Sequence, residues 1–483
     1  MILVIAEKPS VAQSIAKVLG ATSRKDGYME GGNYIVSWCF GHLVELADAS
    51  SYDERYAKWR YDDLPIVPEN WMFEVTKDKA QQFKVLSALM KDKRVTELVC
   101  ATDAGREGEL IFRLVYNKAG CTKPFKRLWI SSLEDSAIRE GFNHLRDSKE
   151  YDRLYEAALS RSKADWIVGI NGTRLFTTLY HKKLVVGRVQ TPTLAMLVER
   201  DGKISTFHKE KYFNVHVGKG DLTADLEKVK TEEEAKRIAA ACEKKQAVVS
   251  SLKREMKNIN PPKLYDLTTL QREANRYYGF TAQQTLDLVQ TLYEKKLLTY
   301  PRTDSQFITD DMEDTARQVI SIVCRQFPLF SGVLVTPDIA RVTDNSNVTD
   351  HHAILPTVQL EKQDVSALPQ SEQKILNLVG MRLLCATGEK HTYAETQISL
   401  SCESYTFKTK GKTVVQNGWK AIEELFKASL KTKEKDDPMK SLPEVHEGDV
   451  LDGVSASVTE HFTTPPKQYT EDTLLSAMET AGN

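Results

Sequence analysis

Over its first 150 residues the chain alternates short apolar runs with amphipathic stretches, a pattern that few architectures satisfy. Ile2 to Ile5 and Glu97 to Ala101 read as buried strands. Ser10 to Leu19, closed by Gly20, reads as a helix, as do Asp78 to Met90, with Ala80, Phe83, Leu86 and Leu89 on one face, and Glu107 to Lys118. A third strand at Arg127 to Ile130 and a helix from Ser132 to Leu145 continue the series. Such succession predicts a parallel sheet with helices packed on its faces.

The pattern then changes. Tyr151 to Arg200 is almost wholly helical in its periodicity, whereas Phe213, Val215 and Val217 alternate as in a strand. Thr231 to Glu234 predicts a capping box at a helix start. Pro261-Pro262 stiffens the chain ahead of a helical region from Thr268 to Leu298. Strand alternation returns at Thr396 to Leu400 and Tyr405 to Thr409. A β-rich domain is therefore expected in two pieces, residues 206–261 and 390–460, with a helical domain, 262–389, inserted between them. Lys431 to Pro443, charged and interrupted by Pro438 and Pro443, reads as a surface loop.

A chain of 483 residues is too long for one hydrophobic core, and 41% hydrophobic with 28% charged residues excludes disordered, fibrous and membrane classes. The 66 Lys and Arg nearly cancel the 67 Asp and Glu, so any phosphate-binding surface must arise from local segregation of charge. The seven cysteines, at 39, 100, 121, 242, 324, 385 and 402, never fall in a C-x-x-C pair, which points to buried small hydrophobes rather than a disulfide framework or a zinc ribbon. The amino terminus has no basic region, and its apolar run of about five residues is too short for a signal peptide or a membrane span, so a cytoplasmic chain is expected.

Chemistry concentrates in two places. The first strand ends in Ala6-Glu7-Lys8-Pro9-Ser10 and the second in Thr102-Asp103-Ala104-Gly105-Arg106-Glu107-Gly108-Glu109. In an open parallel sheet ligands gather beyond the carboxyl ends of strands, so two acidic turns there can converge on a hard cation such as Mg2+. Taken singly, Asp103 or Glu107 is more simply a helix-start acid, but two glycines and an arginine among three acids suit close approach of a phosphate backbone. The second place is Lys296-Leu297-Leu298-Thr299-Tyr300-Pro301-Arg302-Thr303-Asp304-Ser305. Pro301 holds Tyr300 extended, and Arg302 lies on the same side of an extended segment, where a nucleophilic phenol needs positive charge. By composition alone, one of 18 tyrosines is far more often a packing residue.

The string from Thr299 to Ser305 resembles the active-site signature of type IA DNA topoisomerases, in the Y-P-R form of the topoisomerase III branch. The N-terminal region resembles a Toprim domain, with Glu7 as its lone acid and Asp103 to Glu107 as its acidic turn. Arg161 to Trp166, Gly187 to Leu194 and Asp350 to Thr357 match the family in order, so the resemblance covers about residues 1 to 480. It implies a multidomain α/β, α and β chain: a Toprim domain (1–150), a discontinuous helical DNA-groove domain (151–205 and 461–483), the β-rich arch and the inserted helical domain, arranged as a ring with a central hole.

The resemblance further implies that Tyr300, Arg302, Glu7, Lys8 and His351 are catalytic, His352 being the adjacent alternative, and that Glu7, Asp103 and Glu107 hold Mg2+. It implies DNA contacts from Arg106, Arg161, Asp165, Arg174, Arg188, Gln190, Thr193 and Ser305. The expected enzyme is ATP-independent and monomeric. It acts on single-stranded and negatively supercoiled DNA, has no membrane partner, and leaves room for a helicase or single-strand binding protein as partner. Two departures stand out. Gly105 occupies the place of the pattern's second Asp, and the sequence stops at Ala481-Gly482-Asn483 inside a further family segment, so a truncated form without the C-terminal DNA-binding tail is expected. A Toprim nuclease and a catalytically silent single-strand clamp are the alternatives, and Tyr300 with Arg302 argues against both.

Overall fold

The structure, a computed structural model, describes residues 1–348, 350–430 and 442–481. The N-terminal region is built on a sheet of seven strands in the order β2-β3-β4-β1-β7-β8-β9. These are β1 (Ile2–Ala6), β2 (Ser23–Lys25), β3 (Tyr28–Gly31), β4 (Tyr34–Trp38), β7 (Glu97–Ala101), β8 (Phe125–Arg127) and β9 (Arg146–Asp147), while β5 (Val44–Leu46) and β6 (Phe73–Val75) form a separate pair. β4, β1, β7 and β8 are parallel, and β1 and β7 are apolar and buried because helices cover both faces.

The helices of this region are α1 (Pro9–Leu19), α2 (Ala49–Tyr52), α3 (Ala80–Lys91), α4 (Arg106–Lys118) and α5 (Asp135–Asn143). Side chains alternate between two cores: Leu3, Ile5, Leu98 and Cys100 meet Leu110 and Phe112 of α4, while Val4, Val99 and Ala101 meet Val11 and Ile15 of α1 and Ile138 of α5. Tyr293 and Tyr300 pack into the second of these cores from far along the chain.

The sheet is not wholly parallel. A hairpin, β2 to β3, closes through Asp26-Gly27 with Gly27 at φ 79°, the two-residue turn that such a dipeptide favours, and adds antiparallel strands at one edge. The third parallel strand is Phe125–Arg127, not Arg127 to Ile130. Arg127 sends its guanidinium into the interior, and the chain after it leaves the sheet, with Ser131 reaching Tyr300 and His351. The helix expected from Ser132 begins only at Asp135.

Next come α6 (Asp152–Tyr180) and α7 (Gln190–Ser205), then a second seven-stranded sheet ordered β15-β12-β13-β14-β11-β10-β16. Its strands β10 (Lys211–Lys219), β11 (Leu222–Val229) and β12 (Ala247–Ile259) precede the helical insertion; β13 (His391–Cys402), β14 (Tyr405–Gln416), β15 (Val450–Leu451) and β16 (Ser455–Phe462) follow it. Helix α8 (Glu232–Cys242) covers this sheet, with Ala235, Ile238 and Cys242 in the same core as Val215, Leu400 and Phe407. Only half of the capping box forms: Thr231 accepts the Glu234 N–H at 3.3 Å.

Between β12 and β13 lie α9 (Leu267–Tyr278), α10 (Ala282–Glu294), α11 (Glu313–Gln326) and α12 (Gln370–Ala386), around a core that includes Leu270, Val289, Val323, Phe327 and Leu383. A reciprocal capping box of Thr281 and Gln284 starts α10. Helix α13 (Lys420–Ser429) packs Phe426 into this same core, and α14 (Glu471–Glu479) docks on α9 through Asp472, which pairs with Arg272 at 3.0 Å and Arg276 at 2.9 Å. The expected loop from Lys431 to Pro443 falls largely outside the described residues. No helix among the described residues is long and apolar enough to cross a membrane.

Candidate active site

Because β1 and β7 are adjacent and in register, Ala6 against Ala101, their two acidic turns emerge side by side. Glu7 and Asp103 are thereby neighbours, with the Asp103 N–H donating to Glu7 Oε2 at 3.3 Å. The second turn is tightly held. The Thr102 hydroxyl donates to the Gly108 carbonyl at 2.7 Å, and a Cβ at Gly108 would come within 2.0 Å of the Asp103 carbonyl oxygen, so only glycine fits. Arg127, fully buried, donates to the carbonyls of Cys100, Thr102 and Asp103 at 3.0, 2.7 and 2.6 Å and pairs with the buried Glu109 at 3.2 Å. One guanidinium thus fixes the backbone that carries Asp103.

Tyr300 reaches this turn from the inserted helical region. Thr299 N–H donates to the Leu355 carbonyl at 2.9 Å, so the segment runs beside Ala353 to Thr357 before Pro301 turns it. The Tyr300 N–H donates to the Ser131 carbonyl at 3.0 Å and its hydroxyl donates to Asp103 Oδ2 at 3.1 Å, both in the N-terminal region. The ring meets Tyr293 edge-on, 5.5 Å between centroids, and leans on His351 at 4.3 Å; only 6% of the residue is exposed. His351 Nε2 faces the Ala104 carbonyl, which can only accept, so that nitrogen carries the proton and Nδ1 accepts the Ser131 hydroxyl at 2.8 Å. His352 turns away, its Nδ1 at 2.7 Å from the Ala353 carbonyl, so of the two histidines it is His351 that lines the cleft.

These groups surround a cleft of about 850 Å3 lined by Glu7, His42, Asp103, Glu107, Arg302 and His351, with Arg106 and Asp304 at its wall. Burial and the neighbouring Asp103 raise the Glu7 carboxyl from the ordinary 4.5 to about 7, against the pull of Lys8 and Arg302. Burial also raises Asp103, while Lys8, the Tyr300 hydrogen bond and Arg302 oppose it. Burial and both carboxylates push the Tyr300 phenol upward, with Arg302 as the counterweight. Burial lowers His351 to about 4, leaving it neutral at physiological pH. Glu107 stands apart: it is more than half exposed, and His42 at 3.6 Å holds its carboxyl below the usual range.

The cleft therefore contains two desolvated carboxylates that repel one another and hold a phenol protonated. Among the described residues no three His, Cys, Asp or Glu side chains converge to hold a metal ion. Glu7 and Asp103 nonetheless fit a divalent cation, which needs one or two carboxylates with water and phosphate oxygens completing its shell, and which would relieve their repulsion. Glu107 would have to leave His42 to join them.

The remaining predicted residues scatter. Arg106 lines the cleft, Lys8 pairs with Glu294 at 3.6 Å, and Arg302 lies 4.0 Å from Asp103. Arg161 is exposed on α6, where Asp165 pairs with Arg188 at 2.5 Å, and Gln190 is exposed at the start of α7. The Thr193 hydroxyl donates to the carbonyl of Val189, the residue that precedes α7, at 2.8 Å. Two residues are turned inward instead of toward a ligand. Arg174 is 3% exposed and donates to the Tyr56 carbonyl at 2.7 Å, packing its charge over Trp59; Ser305 is 4% exposed and donates to the Asn347 carbonyl at 2.8 Å. Local sequence carried no sign of His42, Ser131 or Arg127, which sit in ordinary turn and strand contexts, and Glu109 was visible only as the third acid of its turn.

Fold and cleft together define a Toprim enzyme whose acidic turn is closed by a tyrosine from a separate helical region. Residues 2–133 match the family model "Toprim domain", a divalent-metal-binding domain, and residues 149–482 match the model "DNA topoisomerase". The chain is 40% identical over 499 aligned residues to the DNA topoisomerase 3 of Bacillus licheniformis and 40% over 489 to that of Bacillus subtilis strain 168, covering 99% of this chain and 67% of each relative. The full-length topoisomerase I from Thermotoga maritima shares the fold, with a TM-score of 0.73 at 24% identity over 99% of this chain and 75% of that one. The chain belongs to the type IA DNA topoisomerases, with curated relatives named DNA topoisomerase 3.

Proposed function

We propose that Tyr300 attacks a phosphodiester of single-stranded DNA and carries the 5′ phosphate while another strand passes, after which the 3′ hydroxyl reseals the break. The observation that carries this reading is the Tyr300 hydroxyl donating to Asp103 at 3.1 Å inside a cleft shared with Glu7, Arg302 and His351. Asp103, raised by burial, accepts the phenolic proton as the new O–P bond forms. Glu7, poised at about 7, delivers a proton to the departing 3′ oxygen and recovers it on rejoining. Arg302 and Lys8 offset charge on the phosphate oxygens, and His351, neutral and anchored by Ser131, lends its Nε2–H to the phosphate once the Ala104 contact opens. Mg2+, held by Glu7 and Asp103 with Glu107 recruited from His42, would neutralise the acidic pair and orient the phosphate for rejoining. Transesterification conserves bond energy, so ATP is not needed.

Arg106, Arg161, Arg188 and Gln190 would follow the strand as phosphate and base contacts, with Asp165 and Thr193 fixing Arg188 and the turn of α7. Arg174 and Ser305 would shape that groove from behind. In this reading residues 1–150 are the Toprim domain, 151–205 with 461–483 the groove, 206–261 with 390–460 the arch and 262–389 the tyrosine-bearing domain, of a cytoplasmic monomer that relaxes negative supercoils or unlinks circles.

Labelled single-stranded oligonucleotide incubated with the protein and resolved under denaturing conditions tests the assignment. The expected product is a covalent adduct mapping to Tyr300; Tyr300→Phe should bind the strand as tightly but form none. An adduct on another residue, or relaxation by Tyr300→Phe at the original rate, overturns it.

A further inference from the structure

On one face of the second sheet, among residues that do not line this cleft, four polar side chains form a continuous chain. His216 of β10 places Nδ1 2.7 Å from Asp225 Oδ1 of the neighbouring β11, and Nε2 2.7 Å from the hydroxyl of Thr459 on β16. That same hydroxyl lies 2.8 Å from Nε2 of His461, two residues along β16 and therefore on the same face. The carboxylate can only accept, so the His216 proton sits on Nδ1 and its Nε2 lone pair faces Thr459. Two imidazole nitrogens thus converge on one oxygen, and one of them is already oriented by a carboxylate behind it. That is the arrangement by which metal-binding histidines are usually held. The strand pairing keeps it rigid: Tyr212 opposes His461 and stacks on it at 5.4 Å, and His216 opposes Ser457.

We propose that His216 and His461 form a binding site for a borderline transition-metal cation, Zn2+ being the type ion, with Asp225 as the orienting carboxylate and Thr459 as the hydroxyl that moves aside or joins as a weak ligand. Both Nε2 atoms bind the cation; His461 shifts its proton to Nδ1, so the incoming ion displaces a hydrogen bond rather than a covalent proton from the site. Water completes the shell. Imidazole selects Zn2+, Ni2+ or Cu2+ over Mg2+, so this site is chemically distinct from the carboxylates of the cleft. Its consequence is mechanical. β10 brings the chain into this sheet from α7 and β16 takes it out toward α14, so a cation bridging them fastens entry to exit.

The test uses the whole chain in buffer containing Mg2+ and freed of transition metals. Zn2+ alone is then titrated, following the melting temperature and the zinc retained after equilibrium dialysis. The expected result is a rise in melting temperature and one Zn2+ per chain, both lost in His216→Ala/His461→Ala. Asp225→Asn should bind about tenfold or more weakly. The histidines are partly exposed, and His216→Gln/His461→Gln serves if the alanine pair melts early without zinc. No retained zinc in the original chain, or zinc retained undiminished by both double variants, overturns the site; equal affinity in Asp225→Asn overturns the role given to the carboxylate.

Discussion

Gly105 offers the sharpest test of how the acidic turn works, because a second Asp in its place would alter charge and backbone together. The residue caps α4 at φ 157° and ψ 173°, a conformation that essentially only glycine enters. A side chain there would find nothing within 4 Å of its Cβ, so the penalty is conformational and not steric. Holding a non-glycine residue in such a region costs about 1–3 kcal/mol, and for a domain of this size each kcal/mol lowers the melting temperature by about 2–4 °C. Gly105→Ala and Gly105→Asp share this strain; only the second adds a carboxylate beside Glu7 and Asp103. Both variants should therefore melt lower by a similar amount. Titration of a divalent cation in a rejoining assay should separate them, with Gly105→Asp saturating at lower concentration than Gly105→Ala. Melting of Gly105→Ala together with the parent would remove the conformational argument. Coincident titration curves for Ala and Asp would show that charge at this position does not reach the cation.

Arg302→Lys keeps the charge but loses the planar fork, so cleavage should fall by an order of magnitude or more, about the size of one strong transition-state contact, and added Mg2+ should not restore it; unchanged cleavage would make Arg302 structural. Glu7 has a folded value above its unfolded one, so between 4.5 and about 7 the folded chain holds the extra proton and stability falls as pH rises. Melting of the metal-free chain should drop across that window, and Glu7→Gln or added divalent cation should flatten the profile; a parent profile already flat contradicts it. Arg127→Met strands Glu109 with only Arg113, at 2.8 Å, to balance it, so a loss of about 3 kcal/mol is expected by denaturant unfolding, recovered in part by Arg127→Met/Glu109→Gln.

Periodicity revealed β1, β7 and the helices that follow them because those segments are apolar on the face they bury, whatever their neighbours. The β2–β3 hairpin leaves no periodic trace because its strands are short and exposed to half-buried, and Asp26-Gly27 is its one local signal. The strand at Arg127 was displaced because its charged residue is buried by partners 18 to 27 positions away, which no local pattern reports. The same holds for the cleft. Two acidic turns and a Tyr-Pro-Arg string are visible as strings, but the hydrogen bond from Tyr300 to Asp103 spans 197 positions, and Glu107 facing His42 instead of its fellow acids is a matter of rotamer and exposure.

The register between β12 and β13 has a consequence for movement. Ile259 and His391 are direct partners at the end of that antiparallel pair, so the entire region bearing Tyr300 leaves and re-enters the sheet at one place. A body tethered by two adjacent strands behaves as though hung from a single pivot. No rung of the β12–β13 ladder lies in the way of such a swing, and the seat it would return to is set by Tyr300 on Ser131 and Asp103 and by α9 on Asp472. Removal of residues 260–390 would spare the β12–β13 ladder but would bare Phe426 of α13 and Asp472 of α14, which both pack on the region removed.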